Sequence, residues 1–193
     1  MSATIRYFAS LASPWTYLGH RRLYDIADRH GASVICKPVN FGEIFSVSGG
    51  LPLGQRAQQR QDYRLVELAR WRDHLSVALN LQPKFFPVAE LTAARMVTAL
   101  GLQGGDTGRL AGAVLQAVWA EEKNIADESV LVELANSCDV DGNSLLAAAE
   151  QAETIAAHEA NTTGAIELGV FGAPTYVLDG ELFWGQDRLE LLE

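Results

Sequence analysis

Cysteine is scarce in this sequence, and the cysteines present do not form a reactive pair. Among 193 residues only Cys36 and Cys138 occur, far apart and without a C-x-x-C motif. Isolated cysteines in a chain without a secretion signal are typical of free thiols in a reducing compartment. A disulfide between these two residues stays open as an alternative.

Long apolar runs and targeting segments are also missing. No stretch approaches the roughly 20 apolar residues that a membrane-spanning helix needs. The N-terminal sequence MSATIRYFAS has no basic region followed by an apolar core, so it does not resemble a signal peptide. We therefore expect a cytoplasmic protein that does not bind membranes.

Positive charge is in deficit, since 15 Lys and Arg stand against 24 Asp and Glu, a net charge of −9. Nucleic acids and anionic membranes attract basic surfaces, so this balance argues against both as partners. The 4 histidines show no metal-ligand spacing, and we expect no metal site.

The N-terminal segment has the pattern of a βαβ unit in a folded globular protein. Residues 4–9 and 33–39 are rich in β-branched and aromatic residues, which predicts two strands. Between them, apolar residues recur at helical spacing from Pro14 to His30, and Gly31 is a natural helix end. Two strands joined through a helix are expected to be parallel.

The middle of the chain is predicted to be almost entirely helical. The stretch FGEIFSVSGGLPLG, residues 41–54, is dense in Gly, Ser and Pro and predicts a loop. Helical patterns follow, separated by Gly-, Pro- or Asn-containing breaks. They cover residues 55–79, 88–100, 106–122, 127–137 and 144–150.

The C-terminal segment predicts a helix over residues 152–168 and then two strands around Asp179-Gly180, a strong signal for a tight hairpin. The last residues resemble the start of a helix. The predicted order is thus βαβ, a helical block, then αββ(α), which is a thioredoxin-like α/β fold with a large all-helical insertion. We assign residues 1–42 and 152–193 to the thioredoxin-like domain and 43–151 to the inserted helical domain.

In such a fold the N-terminus of the first helix carries the reactive group, because its free N–H groups and dipole stabilise an anion. Redox members have C-x-x-C there, but here the tetrapeptide is Ser13-Pro14-Trp15-Thr16. Without sulfur, disulfide exchange at this position is not possible. Ser13 is either an ordinary helix cap or a hydroxyl that stabilises a thiolate supplied by a ligand.

Two long segments carry a family resemblance. FASLASPWTYLGHRRL near the N-terminus and GVFGAPTYVLDGELFWGQDRLELL at the C-terminus resemble the 2-hydroxychromene-2-carboxylate isomerase family. This family is related to kappa-class glutathione transferases and to DsbA-like thioredoxin folds. Supporting stretches, such as DYRLVELARW, PKFFPV and AVWAEEKNI, extend the resemblance over essentially the whole chain.

The resemblance implies a glutathione site. Ser13 matches the catalytic serine next to the glutathione sulfur, and Thr16 replaces a second serine of the family motif. Pro174 matches the cis-proline of the fold, so that Ala173 offers its backbone to the cysteinyl part of glutathione. The segment that would hold the γ-glutamyl end comprises Trp184, Gly185, Gln186 and Asp187.

The implied substrate site departs from the family pattern. The family uses a lysine and an Asn-Arg pair in the loop after the second strand, and our alignment places Phe45, Gln55 and Arg56 at those positions. Arg56 can still bind a substrate carboxylate in a bidentate manner. Phe85 is a candidate wall for an aromatic substrate, although a plug between helices is an equal alternative.

Taken together, the resemblance implies a glutathione-dependent isomerase that converts 2-hydroxychromene-2-carboxylate to trans-o-hydroxybenzylidenepyruvate, or acts on a close aromatic catabolite. Its ligands would be glutathione and a small aromatic carboxylate, and related families imply a homodimer. Two alternatives remain: a kappa-class transferase or peroxidase-like enzyme with another electrophile, and a non-catalytic thioredoxin-like binding module.

Overall fold

The computed structural model describes residues 2–193 and begins with the predicted βαβ unit. Strand β1 spans Thr4–Ala9, helix α1 spans Pro14–His30 and strand β2 spans Ser33–Pro38. The two strands are parallel, in register from Thr4 opposite Ser33 to Ala9 opposite Pro38. Helix α1 ends at Gly31, whose φ of 61° is the left-handed conformation that glycine adopts readily.

The C-terminal hairpin completes the sheet. Strand β3, Thr175–Leu178, pairs antiparallel with β1, and strand β4, Glu181–Trp184, pairs with β3. The strand order is β2-β1-β3-β4. Asp179 and Gly180 have φ values of 50° and 89°, as the predicted two-residue turn requires. The α/β thioredoxin-like fold class predicted from the sequence is therefore confirmed.

The segment between the two halves of the sheet is helical, as predicted, with helix ends that differ from the predicted ones by up to four residues. The long helix α3 (Gln58–Leu75) ends four residues before the predicted end at residue 79, because Ser76 turns left-handed with a φ of 53°. A short 3₁₀ turn, Gln186–Arg188, precedes the final helix. The remaining helices are α3 (Gln58–Leu75), α4 (Leu91–Leu102), α5 (Thr107–Trp119), α6 (Glu128–Ser137), α7 (Gly142–Ala149), α8 (Ala152–Glu167) and α9 (Leu189–Leu192).

The prediction of a loop over residues 41–54 was wrong. Helix α2 covers Phe41–Ser48, and a 3₁₀ turn follows at Leu53–Gln55. The Asn40 side chain accepts a hydrogen bond from the Gly42 N–H at 2.9 Å and starts α2, and Gly49 ends it with a φ of 75°. The glycines and serines of this stretch are therefore helix boundaries and surface positions around a short buried face formed by Phe41 and Ile44.

The hydrophobic core continues from the sheet into the helical block. Buried Tyr7 and Tyr176 of the sheet belong to the same cluster as Leu110 and Trp119 of α5. The division into two domains therefore stays a prediction, since one core serves both segments. Both cysteines are buried free thiols and are not joined by a disulfide.

Burial raises the pKa of the Cys36 thiol to about 12, which disfavours its thiolate. A search of residues 2–193 finds no helix with the length and apolar character needed to cross a bilayer.

Candidate active site

Ser13 lies at the N-cap of α1, where β1 passes into the helix. Its backbone is extended, with φ −82° and ψ 129°, and its Oγ accepts a hydrogen bond from the Thr16 N–H at 3.3 Å. Pro14 occupies the first helical position, which needs no N–H donor. The helix-cap role is confirmed, and the half-buried hydroxyl keeps its own proton to donate elsewhere.

The first turn of α1 is arranged to favour an anion. Helix α1 has 17 residues and no acidic residue in its first turn, so its positive end is not compensated within the turn. Thr16 is fully buried, and within residues 2–193 its Oγ1 has no hydrogen-bond partner. The helix start thus combines a hydroxyl at Ser13 with an unsatisfied one at Thr16.

A carboxylate from the helical block holds the loop that precedes Ser13. Glu90 accepts hydrogen bonds from the Ser10 hydroxyl at 2.8 Å and from the Ala12 N–H at 2.8 Å. Desolvation raises the pKa of Glu90, and the hydrogen bonds from Ser10 and the backbone oppose that rise. Glu90 was not predicted from the sequence, because its partners are about 80 residues away and no local pattern marks such a contact.

The Ala173–Pro174 peptide bond is cis, as predicted. It directly precedes β3, whose first residue, Thr175, pairs with Phe8 of β1, so the bond lies beside the loop that leads to Ser13. Among the residues that the structure describes, neither the N–H nor the C=O of Ala173 forms a hydrogen bond. These two backbone groups are free to pair with a peptide ligand in the manner of an added strand.

Trp184 and Gly185 lie next to this bond. Trp184 pairs with Thr175 across the hairpin, and the Gly185 N–H donates to the Pro174 carbonyl at 2.9 Å. Gly185 has a φ of 107°, and a Cβ at this position would collide with the carboxylate of Asp187. The turn therefore requires glycine.

The side chains of the 184–187 segment point in different directions. Trp184 is 50% exposed and packs on Phe171, with 4.6 Å between ring centroids. Gln186 is only 2% exposed, and its Oε1 accepts a hydrogen bond from Arg22 at 2.7 Å. The exposed Asp187 pairs with Arg188 at 2.6 Å. Gln186 is thus held within the protein, whereas Trp184 and Asp187 remain accessible.

The predicted substrate residues lie at the start of the helical block. Gln55 is exposed at the end of a 3₁₀ turn, and the Arg56 Nε donates to the Leu51 carbonyl at 2.8 Å. Phe85 is half-buried, with the Lys84 Nζ 5.0 Å from its ring centroid. In the described part of the chain no hydrogen bond joins these three predicted residues to Ser13. Phe45 packs on Phe41 inside α2.

Arg64 of α3, which the sequence did not single out, is a further cation in the same region as Arg56. Its guanidinium carbon lies 5.1 Å from the ring centroid of Phe86 and 5.7 Å from that of Trp119. Burial lowers the pKa of Arg64 to about 10, and the charge of Arg56 contributes to the shift. Arg56 lies before the start of α3 at Gln58, so no helical spacing relates the two arginines, and the aromatic neighbours of Arg64 are distant in sequence.

The sequence of residues 4–193 matches the family described as DSBA-like thioredoxin domain. The chain belongs to this DsbA-like family. This match covers both sheet segments and the helical block, in agreement with the architecture described above.

Relatives within the DsbA-like family confirm the resemblance inferred from the sequence. A 2-hydroxychromene-2-carboxylate isomerase from Sphingobium xenophagum is 27% identical over 195 residues, which cover 100% of this chain and 97% of that protein. A solved structure of a 2-hydroxychromene-2-carboxylate isomerase matches with a TM-score of 0.83 at 24% identity, covering 98% of this chain and 92% of that one.

A second structural neighbour is the cytosolic disulfide reductase DsbM from Pseudomonas aeruginosa, solved with GSH. It matches with a TM-score of 0.69 at 17% identity, covering 93% of this chain and 88% of that one. At this identity the likeness establishes the shared DsbA-like fold.

Proposed function

We propose that the protein is a glutathione-dependent isomerase that converts 2-hydroxychromene-2-carboxylate to trans-o-hydroxybenzylidenepyruvate or acts on a close aromatic catabolite. The main support is the position of Ser13: a hydroxyl, and no sulfur, caps the reactive helix beside cis-Pro174. The names of the full-length relatives support the reaction class. The DsbM structure with GSH supports the use of this fold for glutathione.

The residues around Ser13 fit glutathione. The unpaired N–H and C=O of Ala173 match the backbone of the cysteinyl residue, as an added strand would. The accessible carboxylate of Asp187 suits the ligand's α-ammonium, in competition with Arg188. Gln186 would contribute through its backbone N–H, because both its side-chain oxygen and its backbone carbonyl already accept hydrogen bonds from Arg22. Trp184 would cover the ligand with its exposed ring face.

The helix start is sufficient to activate a ligand thiol. Lowering a thiol pKa from ~8.5 to about 6.5 requires roughly 2.7 kcal/mol. A hydrogen bond from Ser13 to a thiolate contributes ~1.5–3 kcal/mol. A partly buried helix terminus adds up to about 2 kcal/mol. The two effects together reach the required free energy without a protein thiol.

In the proposed reaction, bound glutathione supplies a thiolate that adds reversibly to the double bond conjugated with the 2-oxo acid, which permits rotation about that bond. Ser13 donates its hydrogen bond to the sulfur before addition and after elimination. Arg56 holds the substrate carboxylate, and Phe85 contacts the aromatic ring. Ser13 is not a nucleophile, since between Ser2 and Glu193 no base accepts a hydrogen bond from its hydroxyl.

Calorimetric titration with glutathione is the first test of this proposal. We expect binding at millimolar or lower concentration, and its absence would exclude the isomerase and the transferase together and leave the non-catalytic binding module. An assay with the chromene carboxylate, run beside chlorodinitrobenzene, then separates the two enzymes. Faster turnover of chlorodinitrobenzene, with no isomerisation, would favour the transferase.

Ser13→Ala tests the role of the hydroxyl. We expect the pKa of the bound glutathione thiol to rise by about 1–2 units, measured by ultraviolet thiolate absorbance against pH. Ser13→Thr keeps the hydroxyl and should retain most of the effect. Asp106→Ala removes a comparable helix cap from α5, where Asp106 accepts from the Arg109 N–H at 2.9 Å, and should leave the thiol unchanged. An unchanged thiol titration in Ser13→Ala removes Ser13 from this role.

The cytoplasmic location and the homodimer stay predictions. Fractionation of cells and sedimentation of the purified protein are the direct measurements of each.

A further inference from the structure

Two buried hydrogen-bond donors, one on Arg64 of α3 and one on the adjacent Trp119, have no acceptor within the described structure. A terminal guanidinium nitrogen of Arg64, Nη2, is buried and has no hydrogen-bond acceptor among residues 2–193. The same holds for the indole Nε1 of Trp119, a residue with 0% exposure whose ring lies 5.7 Å from the Arg64 guanidinium carbon. Both groups are donors only, so an acceptor from outside the protein would satisfy them.

The charge around these donors is positive and uncompensated. Arg56, Arg60 and Arg64 follow one another at intervals of four residues, and none forms an ion pair in the described chain. Burial and the neighbouring charge of Arg56 disfavour the charged form of Arg64, as the lowered pKa shows. An anion at this position would offset part of that penalty.

The cluster is also connected to the Ser13 loop. Arg64 lies over Phe86, and only three residues lie between Phe86 and Glu90, whose carboxylate holds Ser10 and Ala12. Four steps along the chain span at most about 14 Å, which limits the distance between the Cα atoms of Phe86 and Glu90. An aromatic acid bound beside Phe86 would therefore lie beside the chain segment that holds the Ser13 loop.

We propose that Arg64, together with Trp119, forms a carboxylate-binding site that holds the acidic end of an aromatic 2-oxo acid. The identity of this ligand rests on the proposed function, but the carboxylate site itself does not require glutathione. The planar guanidinium presents its nitrogens to two carboxylate oxygens in its own plane, and one of its faces packs on Phe86. Arg64 is thus a second cation for the substrate, beside Arg56.

Direct binding tests this site with unreactive probes. Trans-cinnamate carries an aromatic ring and a carboxylate, and trans-cinnamamide has the same shape without the charge. We expect calorimetry on the protein without glutathione to show tighter binding of cinnamate. Arg64→Gln should weaken cinnamate binding by about 10- to 100-fold and leave cinnamamide unchanged. Arg64→Lys keeps the charge but not the planar fork and should give an intermediate loss.

Arg70→Gln is the matched control. Arg70 lies on the same helix and carries the same charge, but it is exposed and paired with Glu67, so its removal should leave cinnamate binding unchanged. If thermal unfolding shows that Arg64→Gln is not folded, cinnamate binding is compared between Arg64→Lys and Arg70→Lys instead. Equal binding of cinnamate by the wild-type protein and the Arg64 variants, or an equal loss of both probes, would overturn the proposal.

Glutathione titration distinguishes failure of the carboxylate-site proposal from failure of the isomerase proposal. Arg64→Gln should bind glutathione as the wild-type protein does, since Arg64 is assigned to the substrate alone. A protein that binds cinnamate through Arg64 but does not bind glutathione would retain the carboxylate site and exclude the isomerase proposal.

Discussion

The candidate site has two parts, a thiol part and a carboxylate part, which present different kinds of chemical group to a ligand. The thiol part, formed by Ser13, Ala173–Pro174 and Trp184–Asp187, offers backbone groups, one hydroxyl and the exposed side chains of Trp184 and Asp187, placed by the sheet, the turn after it and the start of α1. The carboxylate part, formed by Arg56, Arg64, Phe85 and Phe86, offers side chains of the helical block. Backbone positions follow from the fold, whereas side chains vary independently, so under the proposed function the first part would set the chemistry and the second would select the substrate.

Removing Glu90 should have the largest effect, because this residue links the helical block to the loop of the thiol part. Glu90→Ala leaves the Ser10 hydroxyl and the Ala12 N–H without their acceptor. We expect a loss of about 2–4 kcal/mol in the free energy of unfolding, measured with urea. The pKa of the bound glutathione thiol should change as well, because the loop before Ser13 loosens.

Two variants control this experiment. Glu90→Gln keeps an acceptor for Ala12 and should recover most of the stability. Glu153→Ala removes an exposed glutamate from the first turn of α8 and should cost less than about 1 kcal/mol. Equal stability of Glu90→Ala and Glu153→Ala would show that the two parts are not coupled through Glu90.

The pH dependence of stability tests the role of buried His20, which lies in α1, the helix that begins at the thiol part. Burial lowers the pKa of His20 to about 4, because the charged ring would lose its hydration between Tyr7 and Gly108. Between pH 6.5 and 4 the unfolded chain binds a proton that the folded protein excludes, so stability falls as pH falls. This contribution amounts to about 3 kcal/mol.

His20→Gln should reduce that pH dependence in urea unfolding measured at several pH values, since glutamine does not titrate there. His74→Gln, at an exposed position of α3, should leave it unchanged. Parallel curves for the wild-type protein and His20→Gln would contradict the assignment.

Gly185→Ala should disrupt the thiol part and leave the carboxylate part intact. A Cβ at this position meets the Asp187 carboxylate, and the φ of 107° disfavours any residue but glycine. We expect a loss of about 1–3 kcal/mol in unfolding free energy and weaker glutathione binding by calorimetry, with cinnamate binding retained. Gly180→Ala is the control, since its φ is 89° but nothing lies within 4 Å of a Cβ there. Weakened cinnamate binding in Gly185→Ala would contradict the separation of the two parts.

Thr16→Val should have the smallest effect. Valine has the same shape and removes a buried hydroxyl that has no partner in the part of the chain that the structure describes. We expect thermal unfolding to show unchanged or slightly higher stability, by up to about 1 kcal/mol. A clear loss of stability would mean that the hydroxyl makes a favourable contact within the protein.

Features that depend on a few neighbouring residues were predicted correctly from the sequence, and features that depend on distant residues were missed. Ser13-Pro14 at the start of α1, Gly31 at its end and Asp179-Gly180 in the hairpin each act within a few residues, and all three features were predicted correctly. Helix α2 was missed, because its Asn40 cap and two buried residues are a weak signal inside a Gly- and Ser-rich stretch. Glu90 and Arg64 were missed because their environments come from residues distant in sequence.

The family resemblance predicted the cis bond at Pro174. Residue order and spacing alone determined the α/β thioredoxin-like fold and the sulfur-free helix start. These properties depend on backbone preferences that a few neighbouring residues express. Tertiary structure decided that Gln186 faces Arg22, that Glu90 holds the Ser13 loop and that Arg64 lies against Trp119 without an acceptor. Burial and long-range partners set the energy of a polar side chain, and neither can be inferred from its neighbours along the chain.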